Sequence, residues 1–92
     1  ADLSDAYLMR ANLSGADLSQ VDLRRAIVSG ANLSGSNLSK ADLEDTYLCG
    51  TDLSNAKNLT YEQLELAFLD QETILPDYIK IHWITNEDFE FE

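Results

Sequence analysis

The sequence is poor in most of what enzymes and nucleic-acid binders are built from. It has one cysteine, one histidine, one proline and only six basic residues, set against seventeen acidic ones in 92. A lone Cys49 excludes an internal disulfide, so no oxidising compartment is required and the reducing cytoplasm is the expected site. At a net charge of -11, six basic side chains cannot assemble the positive stripe that nucleic acid or an anionic membrane needs. Direct nucleic-acid binding is therefore disfavoured. No apolar run approaches the length of a membrane span, and the first residues lack the charged and apolar regions of a signal peptide. The chain reads as soluble, with no membrane partner. It opens on Ala1 without an initiator methionine, which leaves room for an upstream segment trimmed, processed or engineered away.

Catalytic signatures are missing as well. There is no phosphate-binding glycine loop and no cysteine pair, and His82 is the sole conventional general base. It has no partner constellation and sits where residues alternate as in a strand, so it reads as a surface or interface histidine. Cys49 has no neighbouring base. The expectation is a protein that is not an enzyme and needs no cofactor.

What is present is a repeat. From Ala1 to Asn55 the chain divides without remainder into eleven five-residue units, from ADLSD and AYLMR through ANLSG to TDLSN. The third position is Leu ten times and Val28 once, and the first is Ala, Ser, Thr or Val. A period of five fits neither a 3.6-residue helix nor a plain strand alternation. Within a unit the first and third positions lie two apart, so on a short extended segment both point the same way. Turn-prone Ser, Gly, Asn and Asp fill much of the rest. A coil that advances a few residues, turns a corner and repeats reconciles these facts, with Leu and the small residues facing inward.

This pattern resembles the pentapeptide-repeat family, whose motif is a small residue, Asp or Asn, Leu or Phe, Ser or Thr, then a variable residue. The resemblance implies an all-β fold: a right-handed quadrilateral parallel β-helix with four units per turn. Four five-residue sides predict a second period of twenty residues among outward positions, and it is there. The second position reads Asp2, Asp22, Asp42 on one side, Tyr7, Ile27, Tyr47 on the next, Asn12, Asn32, Asp52 on the third, and Asp17, Asn37 on the fourth. Residues 1–55 thus make about three coils, near the minimum for a self-supporting stack.

A coil end exposes strand edges and its Leu interior, so residues 56–92 are expected to close it within the same domain. Thr60 and Gln63 form a capping box, with Leu59 and Leu64 as the hydrophobic staple. Leu64, Ala67 and Phe68 at helical spacing predict a helix over 61–69 whose apolar stripe plugs the last coil. The stretch from Asn58 to Tyr78 is also similar to segments that follow the repeats in this family. Beyond Pro76, Ile79, Ile81 and Trp83 alternate with Lys80 and His82, and Phe89 and Phe91 with Glu90 and Glu92, as strands with one apolar face. They can fold back on their own coil, pair with each other, or add to another subunit.

Two outward columns invite a site. Stacked Asp2, Asp22 and Asp42 offer oxygen ligands to a cation, although a solvated ladder offset by Arg24 and Arg25 is the simpler reading, and no metal is expected. The second side is the anomaly: Tyr7, Met9, Ile27, Tyr47 and Cys49 stand where other sides are polar. An apolar outward column asks for cover, either the chain's own tail (Ile79, Ile81, Trp83, Phe89, Phe91) or a second protein, including a second copy in a homodimer. The resemblance adds another possibility, because the family contains quinolone-resistance proteins thought to imitate DNA by shape and charge and so to engage DNA gyrase. Charge tempers it: residues 1–55 carry eight acidic and four basic side chains, residues 56–92 nine and two. A scaffold or protein-interaction module ranks first, an acidic DNA mimic second.

Overall fold

The computed structural model describes residues 2–92; Ala1, the first inward position of the repeat, lies outside them. Each five-residue unit forms one short extended rung, and the second residue of a rung pairs in parallel with the residue twenty ahead. Asp2 pairs with Asp22 and Asp22 with Asp42; Tyr7, Ile27 and Tyr47 do the same on the second side, Asn12, Asn32 and Asp52 on the third, and Asp17, Asn37 and Lys57 on the fourth. Backbone N–H groups at the third and fifth positions donate to the coil ahead, as in Leu23 to Asp42 at 3.0 Å and Arg25 to Glu44 at 3.0 Å. The chain is thus a stack of four-sided turns sewn by parallel ladders.

The interior follows from the unit's first and third positions. Leu23, Leu33, Leu38, Leu43, Leu48 and Leu53 are buried, with Val21, Ala26, Ala31 and Ala41 between them. Where the small inward residue is polar, its hydroxyl donates to a carbonyl: Ser36 to Leu33 at 2.7 Å, Thr46 to Leu23 at 2.7 Å and Thr51 to Val28 at 2.9 Å. Among the described residues no buried side-chain polar atom lacks a partner, which removes the desolvation cost such hydroxyls would otherwise carry. At the first level Leu3, Leu8 and Leu13 are only half-buried.

Corners repeat as regularly as rungs. The N–H of each unit's first residue donates to the carbonyl of the preceding third, as Ala26 does to Leu23 at 3.0 Å, and the fifth residue between them takes a positive φ. Gly30 adopts +73° without steric cost, whereas Arg25 and Lys40 hold +63° and +59° against the usual preference of residues with a Cβ.

After the repeats the structure departs from the expected helix over 61–69. Helix α1 spans Tyr61–Glu65 only, with Leu66 as its C-cap. Phe68 then pairs in parallel with Tyr47, and Ile74 with Asp52, so the chain rejoins the coil. The cause is the row of open groups on the last coil: Leu48 N–H donates to Phe68 C=O at 2.8 Å and Phe68 N–H to Thr46 C=O at 2.9 Å. One turn of helix has little stability of its own to compete with that ladder. On the first side, where α1 replaces a rung, the Gln63 amide substitutes for the missing backbone by donating to the carbonyls of Leu38 at 2.8 Å and Ala41 at 3.0 Å.

The tail is an antiparallel hairpin of β1 (Ile81–Trp83) and β2 (Phe89–Phe91), in register Ile81 to Phe91, His82 to Glu90 and Trp83 to Phe89. Its apolar face packs against the core, the Phe91 ring meeting Tyr61 at 4.5 Å, while Trp83 and Phe89 meet across the hairpin at 5.4 Å. Among the described residues no helix is long and apolar enough to cross a membrane.

Candidate interaction face

Three sides of the coil use their second position in one way. The Asp or Asn side chain bends back and its Oδ1 accepts the N–H two residues on, closing the corner as an Asx turn. Asp2, Asn12, Asp17, Asp22, Asn32, Asn37, Asp42 and Asp52 all do so, at 2.9–3.1 Å. Ser at the fourth position often adds its hydroxyl, as Ser34 does to Asn32 at 2.6 Å. These carboxylates are committed to the corners. Arg24 grips Asp22 through two bonds of 3.0 and 2.9 Å and reaches Asp42 at 3.8 Å, while Arg25 pairs with Asp5 at 3.0 Å. The Arg24 guanidinium and the Arg24 backbone N–H hold Asp22 down at about 2, and the Ser4, Ser19 and Ser54 hydroxyls hold Asp2, Asp17 and Asp52 below the usual carboxylate range. In the Asp column the Oδ1 of Asp2, Asp22 and Asp42 is each taken by a corner bond.

The second side has no Asx residue and therefore no such corner bond. Tyr7, Ile27 and Tyr47 stack one coil apart with their side chains outward. Tyr7 is 80% exposed, Met9 54% and Tyr47 43%. Ile27, between the two tyrosines, is half-buried. The tail pairs with itself and leaves Tyr7 and Met9 exposed, reaching the column only at its end, where Glu87, Asp88 and Phe89 line a cleft with Tyr47 and Cys49. Instead the column grows by one member that sequence reasoning assigned to the inside. Phe68, expected in the plug, faces outward and stacks on Tyr47 with ring centres 4.8 Å apart and planes 22° from parallel. The signal was available: Ala67-Phe68-Leu69 and Thr73-Ile74-Leu75 each read small, variable, Leu, as the repeat does.

The remaining candidates lie apart from that column. Leu59 and Leu64 are buried in the core, and Thr60 and Gln63 close the capping box, Gln63 N–H donating to Thr60 Oγ1 at 3.3 Å and Thr60 N–H to Gln63 Oε1 at 2.8 Å. Ile79 is buried; Ile81, Trp83, Phe89 and Phe91 are half-buried against the same core, leaving His82 exposed opposite Glu90. Cys49 is half-buried beside Phe68, its Sγ 3.9 Å from the Phe68 carbonyl. Burial first, then the charges of Asp70 and Glu87, push its thiol upward, which keeps it protonated and a poor nucleophile. Tyr47, Cys49 and Phe68 open onto a cleft of about 310 Å³ that Glu87, Asp88 and Phe89 also line.

With these ladders and corners in place, the family model for pentapeptide repeats matches residues 1–25 and 26–57, in eight copies. The chain belongs to the pentapeptide-repeat family. Among solved structures this pentapeptide-repeat chain is similar to a pentapeptide repeat protein from the Arabidopsis thaliana thylakoid lumen, at 25% identity and a TM-score of 0.60 over 82% of this chain and 43% of that one. It is also similar to a pentapeptide repeat protein from Nostoc PCC 7120, at 33% identity and a TM-score of 0.46 over 83% of this chain and 74% of that one. A third similar structure is QnrB1, a plasmid-mediated fluoroquinolone resistance protein, at 27% identity and a TM-score of 0.46 over 84% of this chain and 39% of that one. The chain spans less than half the length of the Arabidopsis protein and of QnrB1. No curated protein matches it.

Proposed function

We propose that this pentapeptide-repeat chain is a non-enzymatic scaffold that binds a protein partner, or a second copy of itself, through its second side. The coil is taken as right-handed and about three turns tall, with residues 56–92 sealing its last turn. One observation carries the reading: Tyr7, Met9, Tyr47 and Phe68 stay exposed on the one side whose rungs carry no Asp or Asn at the second position. A contiguous apolar file in water favours association, since covering it removes apolar area from solvent. The test replaces Tyr7, Ile27 and Tyr47 with Ser and follows mass in solution, thermal unfolding and capture of partners from lysate. Loss of self-association or of one defined partner, with the fold intact, is the expected result; no change in any of the three sinks the proposal.

Acidic mimicry of a DNA duplex is the second reading, favoured by a net charge of -11. Most of that charge lies in residues 56–92, off the repeat units. Inhibition of gyrase supercoiling by the purified chain would place this reading first. The cytoplasm remains the proposed site on the strength of the unpaired thiol, and cell fractionation tests it.

A further inference from the structure

We propose that the cleft at the end of the apolar column receives an arginine side chain from the partner protein whose apolar segment lies along that column. The inference rests on the second side being the docking face. The cleft is lined by Tyr47 and Phe68, whose rings stack, and by the acidic residues Glu87 and Asp88 with Phe89. No basic side chain lines it, and neither wall carboxylate is in an ion pair among the described residues. Stacked aromatic rings and two acidic residues lining one cleft suit a planar cation, which gains both the ring quadrupole and charge-assisted hydrogen bonds. An anionic group would meet like charge here, because Glu87 and Asp70 already bear on the Cys49 thiol in the direction expected of nearby negative charge.

The wall is held in position rather than waving. Asp88 N–H donates to Thr85 Oγ1 at 3.0 Å, Thr85 Oγ1 donates to Asp88 Oδ2 at 3.1 Å, and the Gln71 amide ties the turn to the coil through the Thr85 carbonyl at 3.2 Å. A volume of about 310 Å³ stands at the small end of ligand clefts, which run from about 300 to 1,000 Å³, so the site suits one side chain rather than a cofactor. Its continuity with Tyr47, Ile27 and Tyr7 is what makes a protein segment, and not a free amine, the occupant.

Calorimetric titration of the full chain at low salt tests this with two short peptides, one with an arginine between leucines and one with glutamine in its place. The arginine peptide is expected to bind about tenfold more tightly, as suits a rim charge pair, and to lose that advantage in 0.5 M salt. The double variant Glu87→Gln, Asp88→Asn, which keeps the oxygen that Thr85 bonds, should bind both peptides equally. Tyr7→Ser, at the far end of the column, should weaken both alike. Equal binding of the two peptides by the unaltered chain, or a preference that survives in the double variant, overturns the arginine cleft. If that equal binding is still weakened by Tyr7→Ser, the docking face stands and only the cleft falls. If neither peptide binds, the cleft falls; should the Ser-substituted column also leave mass and partner capture unchanged, the docking face falls with it.

Discussion

The first, third and fourth sides of this coil and its second side share one interior and differ only at the surface. On the three polar sides the Asp or Asn at the second position of each rung from Asp2 to Asp52 closes its own corner, so the outward side chain is part of the structure that carries it. On the second side Tyr7, Ile27 and Tyr47 contribute no corner bond, yet the ladder passes through them without a break, Leu8 donating to Ile27 at 2.7 Å and Val28 to Tyr47 at 2.9 Å. The coil therefore does not need Asx at every corner. A side freed of that duty can present other chemistry at little cost to the stack, which is how a regular solenoid acquires one distinct face.

The largest expected effect tests whether the interior is in fact common to both kinds of side. Leu33 on the third side and Leu48 on the second are each 1% exposed. Either Leu→Ala change leaves a cavity that the ladders above and below prevent from collapsing, and each should cost about 2–5 kcal/mol in denaturant unfolding. Comparable losses mean that the sides differ only outside. A loss below about 1 kcal/mol for Leu48→Ala alone would mean that the second side is loosely packed and its apolar column structural in origin.

Corners come next in size. Asn32→Ala removes the bonds to the Ser34 N–H and hydroxyl, and about 1 kcal/mol should go with them. Tyr7→Ala, with no corner bond to lose, should leave unfolding nearly unchanged. Asp22 adds a pH signature to the polar sides. Its carboxyl titrates at about 2 in the fold against 3.8 without it, so the unfolded chain takes up the proton first as the medium is acidified. The stability that Asp22 contributes is present above pH 3.8 and is lost as pH falls towards 2. Unfolding midpoints measured across that window should fall less steeply in Asp22→Asn than in the unaltered chain.

Much of this architecture was legible because it is local and periodic. The inward Leu and small residues, the twenty-residue recurrence and the capping box at Thr60 and Gln63 each lie within a few residues of their cause. Helix α1 was overextended because Leu64, Ala67 and Phe68 satisfy helical spacing while Ala67, Phe68 and Leu69 equally satisfy a rung; backbone groups of Thr46 and Leu48, some twenty residues away, decide between them. The Asp column looked like a free surface ladder since an Asx bond to a backbone N–H leaves no mark in the sequence beyond the Asp or Asn itself, the residue two on being Ser4, Arg24 or Glu44 in this column. The hairpin's self-pairing and its seat on Tyr61 depend on the turn between Trp83 and Phe89, whose sequence carries no glycine or other hairpin signal.

The finest test gives the second side what the other three have. Ile27 is followed two residues later by Ser29, so Ile27→Asn recreates the Asn32–Ser34 corner within a unit that then differs from it only in Val28 for Leu33. The new corner bonds, worth about 1 kcal/mol, offset the apolar packing that Ile27 provides between Tyr7 and Tyr47, and thermal unfolding should stay within about 1 kcal/mol of the unaltered chain. Binding of the leucine-bearing peptides should nevertheless fall severalfold, since the file of apolar side chains is interrupted at its centre. Retained binding would show that the column is not the docking face. A loss of stability above about 2 kcal/mol would show that Ile27 holds the coil together, and the separation between a structural interior and a freely variable face would fail at the one side where it matters.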